Sequence, residues 1–84
     1  MVEYDRDIAG LVECIVRPLV EHEEDVEITS SYEDDGSVYV EIRVNEEDAG
    51  KVIGRQGRVI KSIRTLARAA ASRMDMHAEV EIVD

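Results

Sequence analysis

The chain has a single cysteine, so no disulfide can close within it, and that fits a reducing cytoplasm. It has one proline, Pro18, and neither tryptophan nor phenylalanine. It lacks any apolar run long enough to span a membrane. Its start, Met1-Val2-Glu3-Tyr4-Asp5, is acidic and without the basic opening of a secretory signal. Basic residues are scarce: 10 Lys and Arg stand against 20 Asp and Glu, a net charge of −10. A uniformly acidic surface repels phosphates, so this balance alone argues against nucleic acid. The acid excess also suits a salt-rich or hot source, and the sequence does not choose between them. Hydrophobic residues make up 44%, which sets aside a disordered tail despite 36% charged residues. Eighty-four residues make one domain, 1–84, with a modest core.

The groups that break bonds are sparse as well. Two histidines and one cysteine give no metal-ligand spacing. Cys14 has no histidine near it in sequence and is expected to be a small, partly buried hydrophobe. His22 lies in an acidic link and His77 on the polar side of a strand. No serine sits in a nucleophile motif. Nothing assembles a nucleophile, a base and an oxyanion site, so an enzyme, a cofactor, a metal or a small-molecule substrate is not expected.

What the chain does have is segregated charge. Seven of its basic residues fall between Lys51 and Arg73, with no acid among them. That segment carries +7 and leaves −17 for the remainder. Salt confines charge effects to about 8–10 Å, so a phosphate at this segment feels mainly the local field. Solvated helix faces usually mix signs, which makes a one-sign stripe hard to read as a neutral surface.

The segment opens at Gly54-Arg55-Gln56-Gly57. Glycines let the backbone turn sharply between two helical patterns. An anion then sits near exposed N–H groups at the start of the second helix, flanked by Arg55 and Arg58. The implied ligand is a backbone phosphate. A Walker loop is excluded, because counting from Gly50 the second glycine comes one place early and no Gly-Lys-Ser/Thr triplet follows. A dinucleotide fingerprint is excluded too: no glycine stands two before Gly54, and the turn follows a helix.

The rest of the chain supplies the frame. Asp5 to about Glu21 reads as a helix, with Ile8, Leu11, Val12, Ile15 and Leu19 on one face. Asp5 or Asp7 is its expected cap, and Pro18 should kink or end it. Glu21 to Asp25 reads as a solvated link rather than a metal site. Val26, Ile28, Ser30 and Tyr32 alternate with polar residues as a half-buried strand. Asp34-Asp35-Gly36-Ser37 is a turn, and Val38, Val40, Ile42 and Val44 form the cleanest period-two run. Tyr32 and Tyr39 flank the turn as strand packing or as stacking platforms. Asn45 should cap a short helix that buries Ala49, Val52 and Ile53. A third helix runs from about Arg58 to Met74. Its apolar side collects Val59, Ile60, Ile63, Leu66, Ala67, Ala70 and Met74; the other side collects Arg58, Lys61, Arg64, Thr65 and Arg68. Ala78, Val80 and Ile82 mark a last strand. The order is α-β-β-α-α-β, an α+β fold with a three-stranded sheet and all helices on one face.

The stretch Val52-Ile53-Gly54-Arg55-Gln56-Gly57-Arg58-Val59-Ile60-Lys61-Ser62-Ile63 resembles the Ile-Gly-x-x-Gly signature of KH domains. The wider pattern resembles the small bacterial single-KH proteins of the KhpA family over nearly the whole chain. The resemblance implies a type II-like KH arrangement in which the final strand lies beside the first. It implies single-stranded RNA as partner, and RNA-chaperone or post-transcriptional roles linked to cell shape and cell wall homeostasis. It also implies dimerisation or pairing with a larger Jag-type (KhpB) KH protein. Phosphates would be held at Gly54 to Gly57 with Arg55, Arg58 and Lys61, while Lys51, Gln56, Arg64 and Arg68 extend the contact. Bases would lie on a floor of Val52, Ile53, Ile60 and Val44. The alternatives are an assembly or dimerisation adaptor that keeps the turn as a fold element, and a ribosome-assembly factor with the same chemistry.

Overall fold

The structure is a computed structural model that describes residues 4–83. The order is α-β-β-α-α-β, as the periodicities imply. Helix α1 spans Tyr4–Val16 and buries Ile8, Val12 and Val16 completely. These recur every fourth residue and form one apolar stripe. The helix ends short of Glu21. Pro18 has no amide to donate and its ring crowds the preceding turn, so Arg17–Leu19 tighten into a 3-10 turn and Val20 is extended. The expected capping by Asp5 or Asp7 lies outside the described side chains. Cys14 is exposed, not partly buried. It stands two residues from both Val12 and Val16, which carries it to the far side of the helix.

Strands β1 (Glu27–Tyr32) and β2 (Ser37–Arg43) form an antiparallel hairpin with Ile28 opposite Ile42 and Tyr32 opposite Val38. Gly36 closes the turn at φ +88°, and the Ser37 amide donates to Asp35 Oδ1 at 3.0 Å. Strand β3 (His77–Ile82) runs parallel to β2, with Val80 opposite Val40. The sheet order is therefore β1-β2-β3, and the expectation that the final strand lies beside the first is corrected. Burial explains the arrangement. Val38, Val40 and Ile42 are all buried, whereas Ile28 and Ser30 on β1 are only half-buried. The strand with the fullest apolar alternation takes the centre, and β1 and β3 take the edges.

Helix α2 spans Ala49–Ile53 and helix α3 spans Arg58–Ser72. The core side of α3 is Ile60, Ile63, Ala67 and Ala71. Leu66 lies at the margin of that face and is 49% exposed, and Val59, Ala70 and Met74 are only half-buried. The helix stops at Ser72 rather than Met74. The amides of Met74 and Met76 both return to the Ala71 carbonyl at 2.9 Å, and Asp75 takes a positive φ of 58°. The helices cover the sheet face built from Val38, Val40, Ile42, Ala78 and Val80. Tyr39, Glu41, Glu79 and Glu81 point to the open face.

Candidate nucleic-acid interface

The corner between α2 and α3 is built by backbone geometry that L-residues rarely adopt. Gly54 has φ +79° and ψ 170°, and Gly57 is left-handed at φ +74° and ψ 17°. A Cβ at Gly54 would lie 2.8 Å from both the amide nitrogen and Cβ of Val59, so the first turn of α3 packs directly on this backbone. Gln56 is left-handed as well, at φ 57°, although it is not glycine. The Gly54 amide donates to Gly50 O at 2.8 Å and the Gly57 amide to Gly54 O at 3.1 Å. Both glycine N–H groups are thus spent on the turn, which corrects the expectation that they hold phosphate. The amides of Arg55 and Gln56 have no acceptor among the described residues, and both residues are exposed.

The basic residues named for the contact differ in what holds them. Arg55 and Lys61 are exposed and pair with no carboxylate among the described residues, while Arg58 donates to Gln56 Oε1 at 3.1 Å. Arg64 is half-buried; its Nε donates to the Val80 carbonyl at 3.0 Å. Arg68 lies 3.8 Å from Glu79. Lys51 already has partners: its ammonium is held by Glu21 at 3.2 Å and Asp48 at 3.3 Å, with its pKa raised chiefly by the bond to Glu21. The expected apolar floor changes too. Val52 is wholly buried and Ile60 nearly so, because both sit on the sheet side of their helices. Ile53, expected inside, is 40% exposed next to Gly54. Val44 lines a separate cavity of about 430 Å³ with Glu46, Ala49 and Val83.

Asp48 is the residue that sequence reasoning passed over. It is the last of three consecutive acids, Glu46-Glu47-Asp48, yet its carboxylate is buried. It accepts from the amides of Glu21 at 3.1 Å and His22 at 3.0 Å as well as from Lys51. Desolvation pushes this carboxyl up, but those three donors outweigh it and hold its pKa below the usual value. His22 Nε2 meets Glu47 at 2.9 Å, and Asn45 Nδ2 donates to Asp25 at 2.9 Å. Asn45 Oδ1 also accepts the Glu47 amide at 2.8 Å, the expected cap, although it opens a 3-10 turn over Glu46–Asp48 before α2 begins. The link from Glu21 to Asp25 is therefore pinned to the entrance of α2 rather than simply solvated. Its only sequence signal was the like-charged run that spoke for solvation.

The family model described as the KhpA/KhpB KH domain matches residues 9–82. The RNA-binding protein KhpA of Listeria monocytogenes is 47% identical over 74 residues, covering 88% of this chain and 96% of that protein. The RNA-binding protein KhpA of Borreliella burgdorferi is 40% identical over the full length of both. That of Bacillus subtilis is 38% identical over 80 residues, covering 95% of this chain and 98% of the relative. Among solved structures, Aquifex aeolicus Era superposes with a TM-score of 0.69 at 18% identity, covering 98% of this chain but 32% of Era, a likeness of fold alone. With its element order, its glycine corner and its agreement with the model along nearly its whole length, the chain belongs to the KhpA/KhpB family of KH-domain proteins.

Proposed function

We propose that the chain is a single-stranded RNA-binding module whose phosphate contact is the corner between α2 and α3. The observation that carries this reading is the pairing of two amides without acceptors among the described residues, on exposed Arg55 and Gln56, with the exposed cations Arg55, Arg58 and Lys61, none of which meets a carboxylate there. A phosphate at the corner accepts hydrogen bonds from backbone and guanidinium together, a charge-assisted arrangement. Relatives named as RNA-binding proteins support it. Ile53, exposed beside Gly54, offers an apolar surface for a base. A KH turn holds about four nucleotides, so one module binds weakly and selects little by itself. The chaperone and regulatory roles, with their link to cell shape and wall, then call for a second module. Either another copy or the larger Jag-type protein would supply avidity.

The test is the double change Arg55→Asp with Gln56→Asp. Both side chains are exposed, and aspartate tolerates the left-handed conformation at 56. The fold should keep its melting temperature while affinity for short oligoribonucleotides drops at least about tenfold, the loss of one charge-assisted contact set. Unchanged affinity refutes the corner as the contact. Sedimentation with and without RNA tests the adaptor reading, which requires a tight oligomer that ignores RNA at every salt concentration.

A further inference from the structure

Arg64 differs from the other cations of α3. Arg58, Lys61 and Arg68 are exposed, whereas Arg64 is half-buried and bonded through Nε to a backbone carbonyl. That carbonyl lies on the open edge of the sheet. The amides of His77 and Val83 donate across to Gly36 and Ile42, so odd-numbered residues of β3 face β2 and the polar groups of Val80 face outward. Tying Nε to a strand restrains where the guanidinium points. Its four remaining N–H groups have no acceptor among the described residues. A mobile cation attracts phosphates wherever they lie; a planar fork held rigid at a strand edge is matched to a pair of acceptors in one plane. On RNA the candidate pairs are two phosphate oxygens or, on a base edge, O6 and N7 of guanine, the commonest specific base partner of arginine. Adenine offers N7 beside an amino donor and cannot satisfy both arms.

We propose that Arg64 is a specificity-determining residue, reading guanine at the nucleotide that lies between α3 and the β3 edge. Its bond to Val80 supplies the orientation. The inference rests on the RNA-binding reading, and the experiment separates the two.

The probes are oligouridine heptamers carrying one central guanosine, inosine, adenosine or 7-deazaguanosine. They are titrated against the intact protein and against Arg64→Lys, which keeps the charge but removes the fork. The unmodified protein should bind the guanosine and inosine probes about fivefold or more tightly than the other two, the lower end of what one bidentate pair discriminates. Arg64→Lys should bind all four alike, with the same salt dependence as the parent. The base analogues test the unmodified protein, so the result does not hang on the variant's stability. Equal binding of all probes by the parent overturns the inference and leaves the RNA-binding reading standing. So does a uniform loss across all probes in Arg64→Lys, which marks a phosphate clamp. Binding of none overturns both.

Discussion

Gly54 and Gly57 share one turn but meet different obstacles. At Gly54 a methyl group would combine a glycine-only backbone conformation with a collision against the start of α3. At Gly57 the nearest atom to a new Cβ is 4.0 Å away, so only the left-handed φ counts. Gly57→Ala should therefore cost about 1–2 kcal/mol, the usual penalty for that region. Gly54→Ala should cost about 3 kcal/mol or more, strain plus a clash against backbone. Chemical denaturation of the two variants measures the difference, and similar losses would show that the close approach to Val59 is readily relaxed. Gln56 marks a limit of reading at this scale. Its left-handed backbone directly precedes that of Gly57, and glutamine gives no hint of it, as asparagine would have done.

Among the elements, those that follow one period were legible and those that depend on distant partners were not. The alternation of Val38, Val40 and Ile42 announced β2 because one face of a strand must be buried regardless of its neighbours. The partner of β3 could not be read the same way, since periodicity tells which face is buried and not which edge is joined. The glycine corner was legible from spacing, but which of its amides remain available depended on bonds to Gly50 and Gly54. Asp48 was hidden because its donors come from 26 and 27 residues earlier. The clamp it forms predicts a pH dependence. The depressed Asp48 carboxyl contributes stability that is present above the ordinary aspartate pKa and lost as pH falls through its lowered value. The pKa of His22 is raised, chiefly by the bond to Glu47, so its contribution is complete below its ordinary value of 6.5 and fades as pH rises through the raised one. Melting temperature should form a plateau between those limits, and His22→Gln should remove the decline on the alkaline side only. Asp48→Ala should lower the melting temperature by about 10 °C or more, because it strands two amides and takes one of two carboxylates from the Lys51 ammonium. A smaller change would mean that water replaces the carboxylate.

Across the whole molecule, each sign of charge is locally concentrated, although Arg17, Lys51 and Arg68 do meet carboxylates. The basic corner carries no carboxylate over Arg55 or Lys61 among the described residues, while Glu41 and Glu81 lie directly opposite each other on the open sheet face. Like charges paired in this way are unfavourable, and salt relieves them. Raising salt should thus stabilise the fold while weakening RNA binding. With roughly three phosphates engaged, the logarithm of affinity should fall against the logarithm of salt with a slope near about −2. Affinity that does not change from low to high salt would rule out the phosphate contact, and a melting temperature that falls with salt would rule out the repulsion.

The parallel pairing of β2 with β3 has a kinetic consequence. Parallel neighbours cannot be joined by a tight turn, so the crossover between them must contain α2, the glycine corner and α3. The segment proposed to meet the ligand is thus the same segment that closes the sheet. Because the docking of β3 carries the corner with it, a lesion at Gly54 should slow refolding as well as loosen the native state, which stopped-flow refolding measures.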